Sequence, residues 1–164
     1  MISPDEVPFQ SVLDALLDLE NPFPPRHLYR LSDLDSTELA QLTEIWPRLP
    51  TWRRKALLED AAELSEDNTL LSFLELGIFA TKDFDPQVRL AAIQALSDYE
   101  DRDLLQVLLE LLQKEEVEEV QAEAALSLGR FIYLGEIEEL RPEVLHCIED
   151  NLLQATIVER KSST

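Results

Sequence analysis

Of 164 residues, one is cysteine, three are glycine and two are histidine, and Lys plus Arg number 14 against 34 Asp plus Glu. Each shortage removes a class of function. A single thiol, Cys147, forms no internal disulfide, so stability must come from packing and the expected compartment is the reducing cytoplasm. With only Gly77, Gly129 and Gly135, no glycine-rich phosphate loop exists, and nucleotide cofactors held by such loops are excluded. His27, His146 and Cys147 are the only strong nitrogen or sulfur ligands. The adjacent pair 146 and 147 projects about 100° apart on a helix, which does not build a tetrahedral metal site. Cys147 precedes Ile148 at apolar spacing and reads as a small core residue rather than a nucleophile. No stretch approaches the length of uncharged apolar sequence needed to span a bilayer, and the acidic start Met1-Ile2-Ser3-Pro4-Asp5-Glu6 lacks the form of a signal peptide. The net charge of −20 repels phosphate backbones and anionic lipid, so neither nucleic acid nor membrane is an expected partner.

What is present is a helical chain. Hydrophobic residues at 45% and charged residues at 29% suit one globular domain spanning 1–164, without disorder. Pro8 can open a helix behind Asp5 and Glu6, and Phe9, Val12, Leu13, Leu16 and Leu17 then follow at helical spacing. Asn21-Pro22-Phe23-Pro24-Pro25 ends it, and the segment through Leu34 is expected to be an extended connection. There Phe23, Leu28, Tyr29 and Leu31 cover an open end of the core, the less favoured reading being a proline-rich ligand for a partner's groove. Asp35 and Glu38 match a capping box before a helix carrying Leu39, Leu42 and Trp46, which Pro47 stops. Pro50 opens the next helix, with Trp52, Leu57, Ala61 and Leu64 expected on its apolar side. The basic cluster Arg53-Arg54-Lys55 is read as pairing within the molecule.

A helix apolar on nearly every side is expected from Thr69 through Phe79, and then comes the best-marked element. Asp85 can cap it and Pro86 fits its first turn. Val88, Ala92, Leu96 and Tyr99 face one way, and Ala91 and Ala95 permit close approach. A charged turn over 98–103 leads to a helix of Leu104, Leu105, Val107, Leu108, Leu109, Leu111 and Leu112, with Gln106, Glu110, Gln113 and Lys114 as its polar stripe. Stepping 32 residues from Val88 reaches Val120 and places Ala92 on Ala124, Leu96 on Leu128 and Tyr99 on Phe131. Trp52-Arg53 with Ala56 reads as a third copy, 36 residues upstream. Gly135 is expected to cap the last repeat, and a final helix starts near Pro142.

Helical hairpins at this spacing, with a second helix written Asp85-Pro86-x-Val88-Arg89-x-x-Ala92-Ile93-x-Ala95-Leu96, resemble the HEAT repeat superfamily, most closely its bacterial short-repeat members. The resemblance implies an all-α, right-handed alpha-alpha solenoid of about three degenerate hairpins. Its parts are an N-terminal capping helix and proline-rich loop (1–34), helical repeats (35–134), a C-terminal helix (135–158) and a frayed tail (159–164). It also implies an Asp–Arg ladder between repeats, which maps onto Asp85 and Arg89 alone because Val117 and Gln121 stand at the next copy. Arg89 is thereby expected to matter more for stability than Arg54.

The resemblance implies no single function. Iron-dependent hydroxylases of this architecture use His-Glu pairs, and neither histidine here is followed by Glu; glycosylases of the fold need a basic face for DNA. The reading is a non-enzymatic scaffold or adaptor, without cofactor or metal, whose acidic surface binds a basic protein partner. The alternatives are a chromophore- or small-molecule-handling protein of the lyase type, and a structural subunit that self-associates. The second helices of such a solenoid line its binding face, so Gln94, Asp98, Glu119 and Glu123 are the candidate partner-binding residues.

Overall fold

In the computed structural model, residues 7–133 are described, and every regular element among them is helical. The helices are α1 (Phe9–Leu17), α2 (Pro25–Leu28), α3 (Ser36–Ile45), α4 (Thr51–Asp67), α5 (Leu74–Ala80), α6 (Pro86–Ala95), α7 (Arg102–Lys114) and α8 (Glu118–Tyr133), with single 3-10 turns at Tyr29–Leu31 and Trp46–Arg48. The expected final helix and tail lie outside the described residues. The chain divides into two compact units, 1–96 and 97–164.

In the first unit, α1 packs on α3, and α4 packs along α6, which pairs in turn with α5. The core joins Val12 and Leu16 of α1, Leu28 and Leu31 of the proline-rich segment, and Leu42, Leu58, Ala61, Leu76, Val88 and Ala92. Starts are set by local chemistry. The capping box forms as expected: the Asp35 carboxylate accepts from Glu38 N at 2.8 Å and Glu38 Oε1 accepts from Asp35 N at 3.0 Å. Asp85 caps α6 through Gln87 N at 2.8 Å, with Pro86 at the first helical position. Pro8 and Pro50 stand one residue outside their helices, as caps without a side-chain acceptor.

Three expectations are corrected. The segment 21–34 is not extended throughout: Pro24 and Pro25 start the short helix α2, because fixed φ and a missing N–H are harmless at a helix start. Trp52 is 56% exposed, while Arg53 and Arg54 are buried in its place. Helical geometry accounts for this, since position 52 lies about 140° around the helix from Leu57 whereas 53 lies within about 40° of it. The helix expected from Thr69 begins only at Leu74. Asn68 Oδ1 accepts from Leu70 N at 3.1 Å, Ser72 N donates to Ser32 Oγ at 2.9 Å, and Ser72 O accepts from Asp33 N at 2.9 Å, so these backbone groups are spent on a turn. Leu70 is left 90% exposed.

In the second unit, α7 and α8 form a hairpin through a short turn in which Val117 N donates to Glu115 Oε1 at 3.1 Å. Leu104, Leu108 and Leu112 of α7 are buried, as are Val120, Ala124, Ala125, Leu128 and Phe131 of α8. The expected polar stripe of Gln106, Glu110, Gln113 and Lys114 is exposed. The aligned positions behave alike in the two units: Val88, Ala92 and Leu96 are buried, and so are Val120, Ala124 and Leu128.

Candidate functional site

The densest polar cluster joins the starts of α4 and α6. Asp83, 6% exposed, accepts from Arg54 Nη1 at 2.7 Å on each carboxylate oxygen, from Trp46 Nε1 at 2.6 Å and from Asp85 N at 2.9 Å. Thr51 Oγ1 accepts from Arg54 Nη2 at 3.2 Å and lies 3.1 Å from Asp85 Oδ2, which it serves as donor. The amide of Gln87, first among several donors, holds the Asp85 carboxyl below its ordinary pKa of 3.8. Phe84 covers the outer side, with the Arg54 guanidinium 4.5 Å from its ring centre. This cluster is structural: Asp83 is paired with Arg54, and the carboxylate oxygens of Asp83 and Asp85 are taken by donors. Arg89 donates to the carbonyls of Asp83 at 2.8 Å and Phe84 at 3.1 Å, so it fastens the same loop from the far side.

A second arrangement is open. Phe23, Pro25 and Leu28 of the proline-rich segment and Leu64 of α4 form the apolar walls of a groove of about 340 Å³, whose remaining lining is Asp60, Glu63 and Asp67. Its shape depends on Arg53, whose Nη2 donates to the carbonyls of Asp18 at 2.7 Å and Asn21 at 3.0 Å, so that the segment leading to Phe23 is tied to α4. Asp18 is itself held below its ordinary pKa of 3.8, first by the Asn21 side chain donating to it. Two members of the basic cluster are therefore turned inward, and only Lys55 is exposed.

The three carboxylates stand at i, i+3 and i+7 on one face of α4 and are exposed. No lysine or arginine lies three or four residues from any of them. Among the described residues none gives them an ion pair or hydrogen bond, and no three such groups converge to hold a metal ion. Like charges at this spacing cost about 0.2–0.5 kcal/mol per pair. Glu63 and Asp67 also lie at the C-terminal end of α4, whose last turn carries no basic residue, where the helix dipole disfavours an anion.

A protein-family model described as HEAT repeats matches residues 74–158, just over half of the chain. The chain belongs to the HEAT repeat family. No curated protein and no solved structure matches it. HEAT repeats commonly mediate protein–protein interaction and are generally non-catalytic scaffolds. Among the described residues no helix is long and apolar enough to cross a membrane.

The HEAT resemblance suggested partner-binding residues along the second helices. Gln94 is exposed near the end of α6, and Asp98 is exposed in the turn beyond it, because α6 ends at Ala95. Glu119 is exposed and Glu123 half-buried, one turn apart on α8. Glu118 and Glu119 fall in the first turn of α8, where negative charge complements the dipole, so they are locally explained as the α4 carboxylates are not. The sequence has no local feature that singles out Asp83, one of many acids. Nor does it join Asp60, Glu63 and Asp67 to Phe23, since that pairing depends on Arg53 reaching back more than thirty residues. The spacing of the three acids, without a cation within a helical turn, was the available signal.

Proposed function

We propose that this HEAT repeat protein is a non-enzymatic scaffold whose acidic surface recruits a basic protein partner in the cytoplasm, as one domain. The observation that carries the reading is the inward burial of the chain's only basic cluster. With Arg53 and Arg54 buried and bonded internally, Glu59, Asp60, Glu63, Glu66 and Asp67 stand along the exposed side of α4. A field of one sign attracts cationic surfaces and fixes their orientation on approach. Membership of a family of interaction scaffolds supports the same reading. Gln94, Asp98, Glu119 and Glu123 remain the candidate contacts on the second helices.

The test is affinity capture from the native host at low salt, followed by a salt gradient and mass spectrometry. The recovered partner is expected to be basic and to dissociate as ionic strength rises. A partner whose binding is indifferent to salt overturns the electrostatic reading. Within that experiment, Glu119→Lys with Glu123→Lys weakens binding if α8 is a contact surface.

A further inference from the structure

We infer that the groove between the proline-rich segment and the C-terminal half of α4 is a docking site for a linear segment of a partner protein. The segment would carry an aliphatic or aromatic side chain flanked by lysine or arginine. The inference rests on the scaffold reading above and gives it a place and a ligand chemistry.

Two independent features define the occupant. The walls supplied by Phe23, Pro25, Leu28 and Leu64 are apolar and enclose about 340 Å³, a space that fits one or two hydrophobic side chains rather than a folded surface. The rim supplied by Asp60, Glu63 and Asp67 is anionic, and among the described residues no cationic side chain lines the groove. These carboxylates are placed where their own helix gives them the least support, beside one another and toward the negative end of the dipole. A cation arriving from outside relieves both effects at once. An apolar anchor alone leaves the rim uncompensated, and a cation alone leaves the walls wet; a segment with both satisfies the groove. The carboxylates do not converge on one point, so a single metal ion does not substitute for a run of charges. The lining holds no nitrogen or sulfur nucleophile, which separates a docking groove from a reaction pocket.

The geometry is also prepared in advance. Arg53 ties the carbonyls of Asp18 and Asn21 to α4, and Leu28 is buried in the core, so the wall holding Phe23 is fixed before a ligand arrives. Ordering costs are then confined to the incoming segment.

The test pans a random-peptide phage library against the full chain and, in parallel, against the full chain carrying Glu63→Lys with Asp67→Lys and against Glu119→Lys with Glu123→Lys. Enriched peptides are expected to place Lys or Arg beside a Leu, Ile, Phe or Trp. A synthetic peptide of the enriched sequence, followed by fluorescence anisotropy, is expected to bind the α4 variant about tenfold or more weakly, a larger loss than at the α8 variant. Replacing the peptide's apolar anchor by serine is expected to weaken binding comparably. Thermal melts establish that the variants fold, Glu63, Asp67 and Glu119 being exposed and Glu123 half-buried. Basic peptides that lose affinity for the α8 variant but not for the α4 variant overturn the groove while leaving the acidic scaffold intact. Enrichment of neutral or acidic peptides, or of none, overturns the groove, and salt-independent capture of the native partner separately overturns the scaffold reading.

Discussion

Nη1 of Arg54 lies 2.7 Å from each carboxylate oxygen of Asp83, and the two side chains are 2% and 0% exposed. A charge pair at this depth connects α4 to the loop that starts α6, a role expected from Asp85 and Arg89. Removing one member of a buried pair strands the other, whereas exposed groups regain water. Arg54→Ala is therefore expected to lower unfolding free energy by about 3–5 kcal/mol in urea titration. Arg89→Ala, at a half-buried guanidinium, is expected to lose less, about 1–2 kcal/mol. Equal losses would mean that the Arg54–Asp83 contact does not carry the joint.

Gly77 of α5 packs against Leu96, the residue that caps the C-terminal end of α6. A Cβ at this position would stand 2.5 Å from Leu96 Cδ2 and 2.7 Å from its Cγ. Leu96 is 2% exposed and has little room to swing away. Alanine ordinarily favours a helix over glycine by about 1 kcal/mol, but overpacking here costs about 1–3 kcal/mol. Gly77→Ala is expected to lower the thermal midpoint. A raised midpoint would show that Leu96 yields and helix propensity prevails.

His27 supplies a pH test. Burial, assisted by the charge of neighbouring Arg26, lowers its pKa from the ordinary 6.5, so the unfolded chain takes up the proton more readily. Its contribution is complete above pH 6.5 and is lost as pH falls below that value. Between about pH 7.5 and about pH 5.5, the wild-type chain is expected to lose more stability than His27→Leu. The carboxylates are common to both chains and cancel in the comparison. Nδ1 of His27 is buried without a hydrogen-bond partner among the described residues, so His27→Leu is expected to be at least as stable at the higher pH. Parallel pH profiles would mean that His27 is solvated in the folded state.

Much of this fold was legible because its signals are local. The Asp35/Glu38 box, the Asp85-Pro86 start and the polar stripe of α7 each depend on residues within a few positions of one another, and each is present as read. The repeat was legible for the same reason, since Val88, Ala92 and Leu96 and their counterparts Val120, Ala124 and Leu128 bury one face at helical spacing. Hydrophobic character and helix geometry disagree at Trp52, and geometry prevails: its position on α4 turns it out.

By itself, then, the sequence determined most of the helices, their periodic buried faces, the family and the surplus of negative charge. Only tertiary structure decided that Arg53 and Arg54 point inward, that Asp83 rather than Asp85 receives Arg54, and that the proline-rich segment becomes one wall of a groove against α4. The reason is physical: burying an arginine is favourable only where a carboxylate or a set of carbonyls meets it. Those partners come from Asp18, Asn21 and Asp83, tens of residues away, and no local pattern in the chain encodes their arrival.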